Sequence, residues 1–511
     1  MLPARNRHSG MPLRTLLQGL TDPVTAPDNI NQDLPIRGLS ADSRNVRAGD
    51  LFLACRGSQT RGSLFIRDAI KAGAAAVVVD EALQSDLDRR LGVVIPVANL
   101  RDKLGLIAGR FYRAPTRRLR LAGVTGTNGK TSICWWAAQL HSLLTGQPAG
   151  LVGTLGYGSF PKLVSGPNTT PGAIELQRLC AGFVDAGMDT AFMEVSSHAL
   201  DQGRVNGIDF DMAVFTNLSR DHLDYHHSLD EYFAAKQKLF AFPSLRTAVV
   251  NCDDEYGRKI LQSLPARVDA VSYGMAGGRR QHTVRATLTP PPPDASASGA
   301  GLALAVASPW GHGQARLQVT GTFNAGNILA VIALLCLAGL SLEQVLAQLE
   351  NLTPVPGRME SFTRADGARI VVDYAHTPAA LEQALLDLRQ AGAARLICVF
   401  GCGGERDRDK RALMGEVAER LATDIILTDD NPRGEAGADI IADILSGISH
   451  KGAVTVERNR SGAIALALHK AGPGDVALIA GKGHETCQEI AGRRYPFSDR
   501  QQVRQLLEQA A

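Results

Sequence analysis

Residues 119–131 read LRLAGVTGTNGKT, an apolar, strand-like run feeding a glycine-rich turn that closes on Lys130 and Thr131. A turn of this kind at the head of a helix collects anions, because Gly126 and Gly129 let successive backbone N–H groups face phosphate oxygens at the positive helix end. The loop residues Gly126, Thr127, Asn128, Gly129, Lys130, Thr131 and Ser132 are therefore candidates for holding a nucleoside triphosphate. Lys130 would reach the β/γ-phosphates and the Thr131 hydroxyl a Mg²⁺ ion. The strict pattern G-x-x-x-x-G-K-[ST] needs glycine at position 124, where this chain has Val124, so the loop departs from the generic form. The bland alternative is an ordinary Gly-rich turn. Against it stands the coincidence of Gly, Lys and Thr between an apolar strand and the helical-looking Ile133 to Leu144.

On both sides of the loop, strand-like runs (Ala75 to Val79, Ala191 to Val195, Met212 to Thr216, Ala248 to Asn251) alternate with helical stretches. That order predicts an α/β fold with largely parallel sheets. Proline-bearing breaks at 113–116 and 354–357 divide the chain into segments 1–116, 117–353 and 354–511. The central segment predicts a P-loop ATPase-like, mostly parallel sheet. In the last segment the order strand Ile370 to Val372, helix Ala379 to Gln390, strand Leu396 to Phe400, helix Arg408 to Leu421 and strands Ile425 to Thr428 and Val476 to Ala480 predicts a second, Rossmann-like doubly wound sheet. Its ligands belong at the carboxyl ends of the strands. The stretch TPPPPDASASGAG at 289–301 reads as a solvated loop.

Composition narrows the function. With 511 residues, 45% hydrophobic and 21% charged, the chain has the makings of a soluble protein of about three domains. A net charge of +3 and 5% aromatics argue against a nucleic-acid face and leave small anions as partners. The eight cysteines include no C-x-x-C pair, which speaks against zinc and for reduced thiols in the cytoplasm. The longest apolar run, Ile328 to Leu340, is too short to span a bilayer and predicts a buried helix. No apolar stretch of export type follows Arg5, Arg7 and Arg14, so a cytoplasmic location and no membrane span are expected.

Three polar clusters follow strand-like segments. Glu194-Val-Ser-Ser-His198 offers a carboxylate suited to Mg²⁺, although carboxylates at strand ends also cap helices. Residues 217–226 crowd Asp221, His222 and Asp224 into one loop, where His226 and His227 read as surface residues. In YFAAKQKLF at 232–240, Tyr232, Lys236 and Phe240 fall at i, i+4 and i+8 on one helical face; spacing alone favours a lysine that snorkels to solvent.

Together with PNTTP at 167–171, EVSSHALDQGRV at 194–205, TNLSRDHLDYH at 216–226, GTFNAGNILA at 321–330, PGRME at 356–360, DYAHTP at 373–378, GCGGERDRDKR at 401–411, DNPR at 430–433 and GKGHE at 481–485, these elements resemble the Mur ligase family. Its members are ATP-dependent amide-bond-forming enzymes of bacterial cell-wall precursor synthesis. The resemblance covers nearly the whole chain. It implies that Lys236 is carbamylated by CO₂ and holds a second Mg²⁺, and that Glu194 and His222 join Thr131 around the Mg²⁺ of ATP. Catalysis would then rest on Lys130, Lys236, Glu194 and His222. It further implies that Asn327, Arg358, Asp373 and His376 close on the nucleotide. Asn168, Thr169, Thr170, Ser196, Gln202 and Arg204 would cradle a UDP-linked muramoyl dipeptide, and Ser43 with Ser58, Gln59 and Thr60 would hold the UDP moiety.

Asp430-Asn431-Pro432-Arg433 is the most discriminating of these motifs. Standing alone it could be a turn with an exposed arginine. By resemblance it marks the members that take meso-diaminopimelate, whose distal carboxylate, absent from lysine, suits the planar fork of Arg433. Arg406, Gly481 and Glu485 would complete that site. The implied reaction joins the amine of meso-diaminopimelate to the D-Glu γ-carboxylate of UDP-N-acetylmuramoyl-L-Ala-D-Glu, at the expense of ATP, by a monomer. The alternatives are an L-lysine-adding ligase, a folylpolyglutamate synthetase, and a P-loop ATPase that switches conformation without forming a bond. The Arg-rich residues before the matching region, His227 in place of a common glycine, and Ser132 in place of a common threonine depart from the family pattern.

Overall fold

The computed structural model describes residues 10–20, 31–55, 62–80, 94–275, 282–289 and 301–509. Among these, three main sheets follow one another along the chain. The first is small and wholly parallel: β1 (Gly38–Ser40), β2 (Asp50–Ala54), β3 (Ala76–Asp80) and β4 (Val94–Val97) lie in that order. Ala76 to Val79 are all buried, as a parallel strand covered on both faces requires. The helix α1 (Leu100–Phe111) follows.

The second sheet has eleven strands: β5 (Arg120–Thr125), β6 (Gly150–Gly153), β7 (Gly156–Ser159), β8 (Lys162–Val164), β9 (Thr190–Glu194), β10 (Met212–Phe215), β11 (Thr247–Asn251), β12 (Asp269–Met275), β13 (Val284–Leu288), β14 (Leu302–Ser308) and β15 (Gly311–Leu317). Their spatial order is β8-β7-β6-β9-β5-β10-β11-β12-β13-β14-β15. The middle is parallel, and β7, β8, β14 and β15 turn antiparallel at the two margins. Register sets what the middle can do. Glu194 on β9 pairs with Val124 and Phe215 on β10 with Thr125, so three strands end level around the glycine-rich turn, where an open α/β sheet places its ligands.

The turn feeds α2 (Lys130–Thr145), and α3 (Leu229–Gln237) and α4 (Phe323–Leu337) follow in the chain. Ile328 to Leu335 of α4 are each 0% exposed and pack against α2. Each such leucine or isoleucine contributes about 1.5–3 kcal/mol by leaving water. The helix stops at Leu337, short of the expected Leu340, because the chain turns at Gly339 with φ 96°. Most of the loop expected at 289–301 lies outside the described residues.

The third sheet is six-stranded, in the order β16 (Glu360–Thr363), β17 (Arg369–Asp373), β21 (Val476–Ala480), β18 (Leu396–Phe400), β19 (Asp424–Leu427), β20 (Val454–Val456), and parallel except for β16. Side chains of α5 (Pro378–Gln390) and α6 (Asp409–Leu421) fill one face, and those of α7 (Arg460–Lys470) and α8 (Asp499–Gln509) the other. This is the doubly wound arrangement the sequence predicts. Among the described residues no helix is long and apolar enough to cross a membrane.

Candidate active site

The glycine-rich turn is locked from two sides. Gly126 has φ 145°, and a Cβ there would strike the Thr216 hydroxyl, so no other residue fits. Thr127 N–H donates to Asn217 O at 2.8 Å and Asn128 N–H to Asn217 Oδ1 at 3.0 Å, which ties the turn to the loop after β10. Lys130 folds back, its Nζ donating to Gly126 O at 2.9 Å and Thr127 O at 2.8 Å. Burial lowers its pKa, against the pull of Glu194. Ser132 is buried in the first turn of α2.

Lys236 is the surprise of this region. It does not snorkel: it is 1% exposed, its Nζ donates to Gly126 O at 2.8 Å and it lies 4.3 Å from the centre of the Tyr232 ring. Burial, then the nearby Lys130, push its amine well below the usual lysine range. Phe240 leaves the helical face expected of it, because α3 gives way to a 3-10 turn at Lys238–Ala241, yet it stays buried. Two lysine amines thus converge on one carbonyl oxygen.

Glu194, 2% exposed, closes the other side of the turn. Its Oε2 accepts from Thr131 Oγ1 at 2.9 Å and Thr154 Oγ1 at 3.0 Å, and its Oε1 from Thr154 N–H at 2.8 Å. A carboxylate and a hydroxyl beside a phosphate loop are the hard oxygen donors that Mg²⁺ takes, with phosphate and water supplying the rest. Among the described residues no group of three or more His, Cys, Asp or Glu is arranged to hold a metal. The converging lysines fit the same reading, since they face a place where phosphate charge is expected. His222 has φ 55° and stands 3.3 Å from Asp221. Partial burial, opposed by Asp221, lowers its pKa and leaves the imidazole neutral, with a lone pair to offer. His226, expected at the surface, is 4% exposed and shares a hydrogen bond with Ser197 Oγ at 3.0 Å.

The residues expected to close on the nucleotide come from α4 and the third sheet. Asn327 sits against Gly129, so close that a Cβ on the glycine would meet Asn327 Oδ1. Arg358 donates to Thr131 Oγ1 at 3.3 Å and lies 4.2 Å from the Tyr374 ring centre. Asp373 fixes the turn around it by accepting from Met359 N–H at 2.7 Å and Ala375 N–H at 2.8 Å. His376 Nε2 is 3.7 Å from Asp221. Gly357, with φ 65°, packs on the Gly483–His484 backbone so tightly that any side chain would collide.

Beside Glu194, Thr170 Oγ1 donates to Glu194 O at 2.8 Å and accepts from Ser196 N–H at 3.1 Å. Thr169 meets Thr154 at 3.0 Å, Asn168 O accepts from Tyr157, and Arg204 bonds Gln202 Oε1 at 2.9 Å and Thr170 O at 3.1 Å. These six residues form one patch. Ser43 opens a short 3-10 turn after β1, and Ser58, Gln59 and Thr60 lie outside the described residues.

A cleft of about 130 Å³ joins the second and third sheets. Asp221, His222 and Asp224 line it from one side; Arg406, Lys410, Asp430, Asn431, Arg433, Gly481 and Glu485 line it from the other. Pro432 is buried in the turn and is not among the residues that line this cleft. Arg433, at φ 54°, donates to Gly404 O at 2.7 Å and stands 3.9 Å from Glu489. Fully buried Lys482 donates to Asn431 Oδ1 at 2.9 Å and Glu485 Oε2 at 2.7 Å, and Asn431 Nδ2 donates to the same Glu485 oxygen at 2.9 Å. Asp430 Oδ2 is buried without a hydrogen bond among the described residues, 3.8 Å from Arg460.

Three family models match the chain: Mur ligase family, catalytic domain, at residues 35–112; Mur ligase middle domain at 124–335; and Mur ligase, glutamate ligase domain, at 357–483. A relative from Pseudomonas aeruginosa, named UDP-N-acetylmuramoyl-L-alanyl-D-glutamate--2,6-diaminopimelate ligase, is 47% identical over 93% of this chain and 96% of its own. One of the same name from Alkalilimnicola ehrlichii is 46% identical over 97% and 99%. The chain belongs to the Mur ligase family. A solved structure titled with the same ligase name covers 98% of this chain and 99% of its own, at 35% identity and a TM-score of 0.68. As a Mur ligase the chain is an ATP-dependent amide ligase that works with Mg²⁺. The motifs also contain Lys410, Lys482 and Tyr374, to which spacing assigns no role; Lys410 and Tyr374 line the cleft, and buried Lys482 bonds Asn431 and Glu485 in its wall.

Proposed function

We propose that this Mur ligase joins the amine of meso-diaminopimelate to the D-Glu γ-carboxylate of UDP-N-acetylmuramoyl-L-Ala-D-Glu in peptidoglycan precursor biosynthesis. The relatives' printed name supports this reading, and one structural observation carries it: the cleft sets Arg433, Asn431 and Glu485 opposite Asp221 and His222, whose loop is hydrogen-bonded to the phosphate loop through Asn217 and Ser219. A carboxylate is a poor electrophile. An oxygen of the γ-carboxylate therefore attacks the γ-phosphorus of ATP, ADP leaves, and the acyl phosphate is attacked at its carbonyl carbon by the free amine. The amine's proton and inorganic phosphate then depart.

Each residue has a task in that sequence. Lys130 exchanges its two loop carbonyls for β/γ-phosphate oxygens, and the N–H groups of 126–132 hold the same phosphates. Thr131, Glu194 and His222 would hold the Mg²⁺ of ATP, and Lys236, as a carbamate, a second. These ions would neutralise charge on the transferred phosphoryl group. The neutral Lys236 amine attacks CO₂, a proton leaves for solvent, and an anion replaces a potential cation beside Lys130. Arg358, Asp373, His376 and Asn327 enclose the nucleotide, while the patch around Thr170, Ser196 and Arg204 holds the muramoyl dipeptide. Residues 1–116, with Ser43 and 58–60, take the UDP moiety, 117–353 the ATP and 354–511 the amino acid. Arg433 and Arg406 bind the two carboxylates, and Asp430 and Glu485 face ammonium groups. The enzyme acts as a monomer in the cytoplasm, where its nucleotide-linked substrates are made.

Incubation with ATP, Mg²⁺, the UDP-linked dipeptide and meso-diaminopimelate is expected to raise the nucleotide product's mass by one diaminopimelate less water. Hydrolysis of ATP with no such product would contradict the proposal.

A further inference from the structure

The segment at 405–411 is dense with charge, and nearly every charge in it is spoken for. Arg220 reaches across to Asp407 at 3.1 Å and Asp409 at 3.0 Å. Arg411 pairs with Glu435 at 3.0 Å and Asp443 at 2.9 Å, and Arg408 lies 3.6 and 3.8 Å from the same two. Arg406 stands 3.6 Å from Asp224. Lys410 is the buried exception: it is 6% exposed, lines the cleft, and has no hydrogen bond or ion pair among the described residues. A buried ammonium without a partner is costly, and the cost is relieved by an anion. It sits in the first turn of the thirteen-residue α6, whose free N–H groups favour the same charge.

We infer that Lys410 is a further substrate-binding cation, carried by the third sheet, for the phosphoryl oxygens of the acyl phosphate. This rests on the proposed ligase reaction. Meso-diaminopimelate brings two carboxylates, and Arg406 and Arg433 already offer two forks in the same cleft. Lys410 is a third cation on the same cleft, which Asp221 and His222 line from the second sheet's side. That is the side from which the phosphorylated carboxylate would approach. Lys410 would thereby help make phosphoryl transfer depend on the third sheet being in place, before any amine arrives.

Hydroxylamine traps an acyl phosphate as a hydroxamate, so the first half-reaction can be read without diaminopimelate. Lys410→Met is expected to cut hydroxamate formation by about 100-fold, with KM for diaminopimelate unchanged within about threefold in the full reaction; Lys410→Arg, which keeps the charge, is expected to recover at least a tenth of the wild-type rate. A Lys410→Met enzyme that makes hydroxamate normally overturns the inference. If KM for diaminopimelate rises at the same time, the cation serves that amino acid's carboxylate instead. Should Lys410→Met fail to fold, Lys410→Gln with the same two readouts decides. Wild-type protein that yields no hydroxamate would defeat the ligase reading itself, a result distinct from any variant effect.

Discussion

Two groups of basic side chains in this molecule are treated in opposite ways. Under the phosphate loop, Lys130 and Lys236 both donate to Gly126 O, at 2.9 and 2.8 Å, and neither has a carboxylate at ion-pairing distance among the described residues. Behind the cleft, Arg460 and Arg411 are each 0% exposed at the side chain, yet Arg460 pairs with Asp499 at 2.7 Å and Arg411 with Glu435 and Asp443. Amines left without a carboxylate partner are addressed to a ligand, whereas charge paired within the fold holds the fold. Substitution in the first group should cost turnover and spare stability, and substitution in the second should do the reverse.

The sharpest way to break this contrast is Lys236→Ala. Loss of the carbamate is expected to lower kcat by at least about 10³-fold, with partial rescue by a small exogenous carboxylate, while the thermal midpoint holds or rises. Wild-type turnover in this variant would remove Lys236 from the chemistry. Next in size, Arg433→Ala is expected to reduce the preference for meso-diaminopimelate over L-lysine by about 10²–10³-fold in kcat/KM, because the distal carboxylate loses its charged partner. An unchanged ratio would leave discrimination to other residues.

For the paired group, Asp499→Asn leaves Arg460 buried without its counter-charge. The expected cost is about 3–5 kcal/mol of stability, read by urea denaturation, with kcat near wild type at low temperature in folded protein. A stable, inactive variant would place this pair with the ligand-addressed group instead. The smallest effect is a pH slope. The folded-state pKa of Lys236 lies well below 10.5, so at intermediate pH the unfolded chain binds a proton that the folded chain does not. Its contribution to stability therefore falls as pH falls through that window and recovers as pH rises toward 10.5. Lys236→Met should flatten the rise in stability between about pH 7 and 10 relative to wild type, measured without CO₂; an identical slope would contradict the neutral buried amine.

What the sequence showed, it showed through local chemistry. The strand, the glycines and Lys130-Thr131 are contiguous, so the loop and the doubly wound third sheet could be read before any coordinates. Contacts between distant segments could not. Arg358 meets Thr131 from 227 residues away, and Lys236 is buried because a carbonyl 110 residues earlier in the chain lies over it. Periodicity could say that Tyr232 and Lys236 share a face, but not that this face is interior. His226 is buried for the same reason, since its partner Ser197 comes from another strand's loop. The cleft itself is a product of two sheets meeting, and no motif within either one describes it.

The most direct test is phosphate release from ATP in the presence of UDP-N-acetylmuramoyl-L-Ala-D-Glu, comparing meso-diaminopimelate, L-lysine and no amine. Release that requires the muramoyl dipeptide and strongly prefers diaminopimelate is the expected result. Release that is indifferent to the amine, or that proceeds without the dipeptide, would contradict the account.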